Sequence, residues 1–402
     1  MTNLAQIRQM MPVTEAKAYL NTGTCGPMST VLRQSLDESL AYDFEHGRAT
    51  GDGFAKMMDS MTDIRARIGR MVNADPSTIA LTQHTTNGMN IALFGLNWQA
   101  GDELVTTTVE HEGGLVPAFI LRQRYGVIIR MVDITATDTD VEIVTKIEAA
   151  ITPRTRALLV SHVAWNLGNR LPLGEIAAVC RRHHVLSIVD AAQSFAAIPL
   201  DLPALGVDAY AMPGQKWLCG PEGTGALYIR TESLSLFNMS FAGFFSLKTP
   251  MDWDFTGHFM PAPGAKRFEV GSIYRPLMHA TAANLRWFEE EVGWEWIYGR
   301  IAALSTYVYE QLQTIPQVEM VTRAPAESGL NSFYLTGYDT ARVVAKLAEE
   351  NIVIRFLGHP YCLRVSTGFY NSEADIDKLI ATLRHITTLA PEELPEFVSP
   401  FK

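Results

Sequence analysis

The chain contains 402 residues, of which 47% are hydrophobic and 19% are charged, and its formal net charge is −10. This length and composition indicate a globular protein, with two domains expected and enough chain for a large apolar core. Because the acidic balance comes without any long basic block, nucleic acid and anionic membrane surfaces are excluded as expected partners.

The N-terminal part of the chain is predicted to be mostly helical. Residues 1–20 are predicted as a short helical or irregular lead-in. The turn formers in YLNTGTCGPMS (Tyr19–Ser29) predict an ordinary loop. Ser29–Met71 is predicted to be largely helical, although its middle, EHGRATGDG (45–53), contains three glycines and is predicted to be an exposed loop.

From Thr78 onward, short apolar runs alternate with helical patterns. This βαβα order predicts a mainly parallel sheet with helices on both faces. A further strand, possibly antiparallel, is predicted at TGALYI (Thr224–Ile229). The other predicted strands are Thr78–Leu81, Glu103–Thr108, Val127–Ile134, Ala157–Val163, Val185–Val189 and Ala209–Met212, and helices are predicted near Asp140–Ile151 and Leu173–His184.

The last third of the chain has a different pattern. Residues 230–275 show little regularity and are rich in aromatics, which is typical of a functional or interface segment. A long helix is predicted over Leu277–Gln313, followed by antiparallel strands and two helices that predict an α+β unit. We therefore predict a large α/β domain over residues 20–276 and a small α+β domain formed by residues 1–19 and 277–402. The late elements are predicted at VEMVT (318–322), SFYLTG (332–337), IVIRFL (352–357), CLRVSTG (362–368), Ala341–Glu350 and Glu373–Leu389.

The four cysteines, at positions 25, 180, 219 and 362, form no CxxC pair and no metal-ligand spacing. Scattered thiols of this kind are typical of a reducing cytosol, and no metal is predicted. The N-terminal residues show no signal-peptide pattern, and no apolar run reaches the ~18 residues of a membrane span. We therefore predict a soluble, cytoplasmic protein.

Two strand ends carry the residues that point most directly to chemistry. Asp190 ends the run VLSIVD, Gln193 follows it, and Lys216 follows the next run through a Pro-Gly turn. Ligands of open α/β sheets bind beyond the carboxyl ends of the strands. An Asp and a Lys in that crevice suit pyridoxal 5'-phosphate (PLP), which uses a lysine Schiff base and an acid at its pyridinium nitrogen. The alternative is a solvated lysine, but a buried setting would lower the pKa of Lys216 and favour imine chemistry.

Two further strand ends carry polar side chains. The stretch TQHTTNG (Thr82–Gly88) offers hydroxyls and free N–H groups that suit a phosphate, although Thr85 or Thr86 could instead be a plain N-cap. His111 follows the predicted strand Glu103–Thr108, where an imidazole could stack on a flat ring or transfer a proton. The alternative is a satisfied, partly buried histidine. A zinc HExxH motif is excluded because Leu115 stands at the second His position.

Arg355 and Arg364 lie nine residues apart on two predicted strands joined by a turn. Paired arginines are suited to bidentate capture of a carboxylate, and the alternative is surface salt bridging. The apolar neighbours on both sides favour a pocket-facing role for at least one of them.

Taken together, these motifs resemble the class V aminotransferase superfamily of PLP fold type I, the cysteine desulfurase-like group. Within it the chain is most similar to the cysteine/cystine C–S lyases. The resemblance extends over residues 19–389 and is carried by the ordered runs SHVAWNLG, SIVDAAQ, GQKWLCGPEGTGALYI, RFEVGS and LRVSTGFYNSEADID. It implies an α/β fold with a mainly parallel large domain and a smaller α+β domain. It also implies PLP-dependent β-elimination on a cysteine-like amino acid, giving pyruvate, ammonia and a sulfur product.

The resemblance also implies roles around the ring of PLP. Lys216 would form the Schiff base and later remove the α-proton. Asp190 would pair with the pyridinium nitrogen, Gln193 would hydrogen-bond the ring hydroxyl, and His111 would stack on the ring.

The remaining implied roles concern the phosphate and the substrate. Thr85, Thr86 and Gln215 would bind the phosphate. Ser272 would reach the phosphate of a neighbouring subunit, which implies a homodimer with shared active sites. Of the two arginines already named, Arg364 would hold the α-carboxylate of a small amino-acid substrate, and Arg355 would hold a second carboxylate.

Four positions depart from the family pattern. Pro213 replaces a Ser or Thr that would contact the phosphate, and Gln215 replaces a His. Trp165 stands where desulfurases have an Asn near the ring hydroxyl. Cys362 lies on a predicted strand and not on the mobile loop that carries the desulfurase nucleophile. We therefore predict a small core residue at position 362, with a persulfide carrier as the alternative.

Several other functions stay open. A cysteine desulfurase, an aminotransferase or an isopenicillin N epimerase-like enzyme would keep the cofactor and change the fate of the carbanion. A non-catalytic scaffold is supported by Pro213 but opposed by the intact Lys216, Asp190 and Gln193. A nicotinamide-dependent oxidoreductase is weakly supported, because the glycines at 220, 223 and 225 do not form GxGxxG.

Overall fold

A mostly parallel, seven-stranded sheet forms the centre of the protein in a computed structural model, which describes residues 3–398. The predicted small-domain limits at residues 1 and 402 lie outside the described residues. The strands are β1 (Ala18–Tyr19), β2 (Ile79–Thr82), β3 (Glu103–Thr107), β4 (Ile128–Val132), β5 (Thr155–Ser161), β6 (Leu186–Asp190), β7 (Ala209–Pro213), β8 (Gly225–Ile229), β9 (Val318–Met320), β10 (Leu330–Leu335), β11 (Ile352–Val353), β12 (Arg355–Phe356) and β13 (Leu363–Ser366).

The central sheet has the strand order β2-β8-β7-β6-β5-β3-β4. Strand β8 runs antiparallel to both of its neighbours, and all other pairings in this sheet are parallel. Most of these strands are buried along their length, which explains their continuous apolar runs. The predicted mainly parallel sheet and the antiparallel strand at Thr224–Ile229 are therefore confirmed.

Helices cover the central sheet. They are α1 (Leu4–Met10), α2 (Val13–Ala16), α3 (Thr30–His46), α4 (Gly51–Met71), α5 (Thr85–Phe94), α6 (Glu112–Tyr125), α7 (Asp140–Ala150), α8 (Leu173–Arg182), α9 (Leu202–Leu205), α10 (Arg275–Trp287), α11 (Trp294–Leu312), α12 (Thr340–Glu349) and α13 (Glu373–Ile386). A π-helical turn occupies Phe288–Val292, and 3-10 helices occupy Pro76–Thr78, Thr231–Leu236, Phe244–Ser246, Gly264–Phe268 and Pro391–Glu393. Among the described residues, none of these helices has both the length and the apolar character needed to cross a membrane.

Two predicted boundaries were wrong. The loop predicted at 45–53 is shorter, because the Thr50 hydroxyl accepts from the Gly53 amide at 3.2 Å and starts α4 at Gly51. The single helix predicted over Leu277–Gln313 is divided by the π-helical turn and by Gly293, whose φ of 89° ends one helix before the next begins. The segment 230–275, predicted to show little regularity, contains three short 3-10 helices ahead of α10.

A second, antiparallel sheet with the order β12-β13-β10-β9 forms from the C-terminal part of the chain. It shares an apolar core with α11, α12 and α13, which includes Leu304, Phe333, Val343, Leu363 and Ile376. Strand β1 pairs in parallel with β11, so the N-terminal strand joins the C-terminal part. We propose a large domain over residues 20–276 and a small domain formed by residues 1–19 and 277–402. The pairing of β1 with β11 supports this division.

Candidate active site

A cavity of about 370 Å³ lies beyond the carboxyl ends of β6 and β7. All of the predicted site residues except Ser272 line it. The lining residues are Gly23, Thr24, His84, Thr85, Thr86, His111, Trp165, Asp190, Ala192, Gln193, Gln215, Lys216, Arg355 and Arg364. Parallel strand ends and the second sheet therefore contribute side chains to one space.

Asp190 and Lys216 are delivered by the adjacent parallel strands β6 and β7. Asp190 is the last residue of β6, is buried, and accepts a hydrogen bond from the Ala192 amide at 2.8 Å. The pKa of Lys216 is lowered to about 8, mainly by burial. The negative charge of Asp190 opposes this change, and the positive charges of Arg364 and Arg355 add to it. Near neutral pH, a much larger fraction of this amine than of an ordinary lysine is therefore uncharged and hence nucleophilic.

The amide of Gln193 is fixed on both of its ends. Its nitrogen donates to the Gly23 carbonyl at 2.9 Å, and its oxygen accepts from the Trp217 indole at 3.0 Å. One amide N–H of Gln193 is left for a ligand. A Cβ at position 23 would lie 2.9 Å from Leu330, 3.0 Å from the Gln193 oxygen and 3.2 Å from Arg364, so a larger residue would crowd these side chains. The prediction of an ordinary loop at Tyr19–Ser29 was wrong, because its backbone forms one wall of the cavity.

Buried polar atoms without partners lie at the N-terminus of α5. The predicted alternative, that Thr85 or Thr86 caps this helix, was wrong: His84 is the N-cap, and its Nδ1 accepts from the Asn87 amide at 3.0 Å. This leaves the buried Thr85 hydroxyl without a hydrogen-bond partner among the described residues. The buried side-chain oxygen of Gln215 has no partner there either, but it is an acceptor and does not itself suit a phosphate. A free hydroxyl at a helix N-terminus fits a phosphate group.

His111 presents a neutral ring to the cavity. Its Nδ1 accepts from the Gly113 amide at 3.0 Å, which places the residue as the N-cap of α6. Burial and then the Lys216 charge lower the pKa of the imidazole. The ring stands at 83° to that of Trp165, with centroids 5.0 Å apart. Within the described chain the buried indole N–H of Trp165 has no hydrogen-bond partner, so the site holds a further free donor.

Arg355 and Arg364 place two guanidinium groups at one side of the cavity. Arg364 is 0% exposed, and one of its nitrogens donates to the Trp165 carbonyl at 2.8 Å. Burial and the neighbouring charge of Arg355 lower the pKa of Arg364 to about 9. Within residues 3–398 neither arginine forms an ion pair with a carboxylate, which is contrary to the alternative of surface salt bridging. Two unpaired cations beside a cavity fit an anionic ligand.

Ser272 lies apart from this cavity. It is exposed and lines a separate groove of about 610 Å³, together with Arg48, Phe54, Phe244 and Tyr274. The prediction that Ser272 contacts the phosphate of a neighbouring subunit stays a prediction.

Sequence reasoning missed Gly23, Thr24 and His84 as lining residues. The Thr24 hydroxyl accepts from Arg355 at 3.3 Å and from Arg364 at 3.4 Å, and it donates to Asn21 at 2.8 Å. The clustering of small and polar residues in YLNTGTCGPMS was the available signal, but it is shared by many unremarkable loops.

The cysteines lie outside the cavity lining. Cys362 is completely buried, and burial raises the pKa of its thiol to about 12. The prediction of a core residue at this position is therefore confirmed. Cys25 is half-buried, and burial together with Glu222 raises the pKa of its thiol to about 11. In the described part of the chain, no group of three or more His, Cys, Asp or Glu residues could hold a metal ion.

The Aminotransferase class-V family model matches residues 18–379 of the chain. The cysteine desulfurase of Cronobacter sakazakii (strain ATCC BAA-894) is 29% identical over 416 aligned positions, which cover 96% of this chain and 99% of that protein. The "Probable cysteine desulfurase" of Mycolicibacterium paratuberculosis (strain ATCC BAA-968 / K-10) is 28% identical over 363 positions and 84% of this chain. The chain spans about half, 50%, of the length of that relative.

Two solved structures are similar over nearly the whole chain. A lysine-to-alanine mutant of C-DES, with glycine covalently linked to the PLP cofactor, has a TM-score of 0.88 and 32% identity, and the match covers 94% of this chain and 98% of that one. The complex of the cystine C–S lyase C-DES with its product cysteine persulfide has a TM-score of 0.87 and 32% identity, with coverage of 93% and 99%. The predicted PLP fold type I is thereby confirmed.

Proposed function

Because the chain belongs to the class-V aminotransferase family, we propose that it is a PLP-dependent carbon–sulfur lyase. Its substrate is a cysteine- or cystine-like amino acid. β-Elimination breaks the Cβ–S bond, and water then converts the remaining three-carbon fragment into pyruvate and ammonia while the sulfur group leaves. The observation that carries this proposal is the position of Lys216 and Asp190 in one cavity with two unpaired arginines.

PLP, when bound, withdraws electrons from the α-carbon of an attached amino acid and so makes the α-proton acidic. The side chains of the cavity fit this group. Asp190 suits the ring nitrogen, the free N–H of Gln193 suits the ring hydroxyl, and the His111 ring suits stacking. We assign the phosphate to the unpartnered Thr85 hydroxyl, to Thr86 and to the side-chain N–H groups of Gln215, and the covalent anchor to Lys216.

The chain's own residues then perform binding and proton transfer. Arg364 binds the α-carboxylate, because it is buried, charged and without an acidic partner. This contact orients the substrate with its α-proton toward Lys216. The Lys216 Nζ, whose pKa is lowered by burial, takes the α-proton as a general base. Arg355 binds a second carboxylate on the far side of the sulfur.

Elimination is favoured over desulfuration because a persulfide-forming enzyme needs a reactive thiolate. No cysteine is among the residues that line the cavity. Burial raises the pKa of both Cys25 and Cys362, so neither thiol is activated. Desulfuration stays the second candidate, since the curated relatives carry that name.

We also propose a homodimer with shared active sites. Large apolar side chains are exposed in the segment 230–275, which contains Ser272, as expected for a surface that a second copy covers. They include Phe241, Phe244, Trp253, Phe255 and Tyr274. The cytoplasm is the proposed location, because all four cysteines are free thiols.

The test is product analysis with purified, PLP-loaded protein given L-cysteine and L-cystine separately. Pyruvate with loss of the sulfur group supports elimination. Alanine would instead indicate desulfuration, and an inverted α-carbon would indicate epimerisation. If none of these products forms while amino acids still change the cofactor spectrum, transamination becomes the better assignment.

A further inference from the structure

Trp165 carries a buried hydrogen-bond donor that the protein itself does not use. The residue lines the cavity, and its indole Nε1–H is buried without a partner among residues 3–398. Two other buried tryptophans are satisfied: the indole of Trp217 donates to Gln193 at 3.0 Å, and that of Trp98 donates to the Leu93 carbonyl at 2.7 Å. A buried donor without an acceptor costs free energy, so its place in a cavity points to a ligand. An indole N–H can only donate, so this ligand must present an acceptor.

A second free donor belongs to the residue that contacts Trp165. One terminal nitrogen of Arg364 donates to the Trp165 carbonyl at 2.8 Å. The Nε–H of the same guanidinium is buried and has no partner in the part of the chain that the structure describes. Both residues line the cavity. Two unused N–H donors on touching residues, one of them on a cation, are complementary to the two oxygens of a carboxylate.

The indole of Trp165 is restrained from two sides. Its ring stands edge to face against that of His111, with centroids 5.0 Å apart and an angle of 83°. Two residues further along the chain, the Leu167 carbonyl accepts from the buried Thr322 hydroxyl at 2.6 Å, which ties this loop to the C-terminal part of the chain. A donor that is already held in place loses little conformational entropy when a ligand binds.

We propose that Trp165 is a substrate-binding residue whose indole N–H donates to the α-carboxylate that Arg364 binds. The proposal rests on the proposed function and deepens it, because it gives the recognition of the carboxylate a second group on a different element. A ligand that has the amino group but no carboxylate leaves this donor unused. The contribution of Trp165 to binding therefore depends on the carboxylate of the ligand.

A competing explanation is purely structural. Trp165 packs against His111 and could serve only to orient the ring that we propose to stack on PLP. In that case any aromatic ring at position 165 suffices, and ligands with and without a carboxylate are affected alike. Donation to the ring hydroxyl of PLP would also weaken both kinds of ligand equally when the indole is removed.

The experiment measures how tightly the apoprotein binds two borohydride-reduced adducts of PLP, one with L-alanine and one with ethylamine. The adducts differ only in the carboxylate, and neither can form a bond to Lys216 or turn over. The measured quantity is the Kd of the ethylamine adduct divided by the Kd of the alanine adduct, followed by pyridoxyl fluorescence. Trp165→Phe keeps a ring and removes the donor, and Trp165→Leu removes both. Trp98→Phe is the matched control, because it removes a buried indole N–H outside the cavity lining.

Wild type is expected to bind the alanine adduct more tightly than the ethylamine adduct. In Trp165→Phe and in Trp165→Leu the ratio of the two Kd values falls about tenfold, the effect of one hydrogen bond to a charged group. Trp98→Phe leaves the ratio unchanged. Arg364→Met lowers it further than either Trp165 variant, because the positive charge is lost as well.

An unchanged ratio in Trp165→Phe overturns the proposal, even if Trp165→Leu weakens both adducts, because packing against His111 then accounts for the residue. A wild-type ratio near one overturns it too, since no carboxylate is then recognised. The proposed function is judged separately by pyruvate release. If wild type has a high ratio but releases no pyruvate from L-cysteine or L-cystine, the carbon–sulfur lyase assignment fails, while the ratio still decides the role of Trp165.

Discussion

Arg355 and Arg364 occupy directly opposed positions on the antiparallel strands β12 and β13. Both donate to one hydroxyl, that of Thr24, and neither forms an ion pair with a carboxylate in the described chain. Like charges placed opposite each other in a sheet are destabilising, and a buried unpaired cation costs more. We infer that an anionic substrate offsets the free-energy cost of these two unpaired guanidinium groups.

Replacing Arg364 is expected to lower activity without lowering stability. Arg364→Met removes the group proposed to hold the α-carboxylate, so kcat/KM for pyruvate release should fall about 30-fold to 100-fold, the worth of a charged hydrogen bond. The melting temperature should stay equal or rise, because a buried unpaired charge is lost. A fall of several degrees would instead assign Arg364 a structural role.

The Lys216 amine is expected to react with PLP at an unusually low pH. Burial places its pKa at about 8, so the neutral amine of the apoprotein should dominate above that pH. The rate of PLP capture, followed by the absorbance of the bound cofactor, should rise with pH to a plateau with its midpoint near that value. In Arg364→Met a positive neighbour is gone, the pKa rises, and the midpoint should move to higher pH. A midpoint near that of a free lysine would contradict this.

Lys216→Ala is expected to abolish pyruvate release, because both the covalent anchor and the general base are lost. The variant should still fold and bind PLP, but borohydride should no longer fix the cofactor to the chain. Circular dichroism, PLP content after reduction and pyruvate release measure the three properties. Retained turnover would remove Lys216 as the base.

The free energy of unfolding is expected to fall as the pH rises, because Glu110 is buried and protonated in the folded protein. This residue accepts from the Thr107 and Ser161 hydroxyls at 2.5 Å each, and has a pKa raised by burial to about 7. The folded state therefore holds a proton that the unfolded state has released. The contribution of protonated Glu110 to the free energy of unfolding is fully present below about pH 4. It is lost as the pH rises through about 7, the pKa of Glu110 in the folded state. Between pH 5 and 8 the loss should be on the order of 2–3 kcal/mol.

Glu110→Gln is the matched variant, because it keeps the shape and cannot titrate. Urea unfolding of wild type and variant at pH 5 and pH 8 measures the difference. The variant should lack the loss of stability shown by wild type over this range. Equal losses in both proteins would show that another group is responsible.

Cys25→Ser is expected to leave pyruvate release within about twofold of wild type. The thiol lies outside the cavity lining, and its pKa is raised by burial. The measurement is pyruvate and alanine release from L-cysteine and L-cystine. Loss of product together with loss of a persulfide signal would move the assignment to a desulfurase.

Much of the site followed from local patterns. Asp190 and Lys216 stand at the ends of short apolar runs, and the βα alternation alone requires parallel neighbours whose carboxyl ends meet. The motifs around these residues were also specific enough to indicate the family. Helix boundaries near the glycines at 51, 53 and 293 did not follow, because a cap or a neighbouring side chain decides whether glycine ends a helix or begins one.

The sequence by itself determined the sheet class, the cofactor and most of the residues that line the cavity, because strand periodicity and strand-end polarity are local properties of the chain. Only the tertiary structure decided that the loop with Gly23 and Thr24 forms a wall, and that His84 caps α5 and leaves Thr85 free. It alone also placed Arg355 opposite Arg364, with no acidic partner for either within residues 3–398. These features depend on contacts between residues far apart in the chain, such as Thr24 with Arg364. No local pattern encodes which polar group finds a partner and which is left for a ligand.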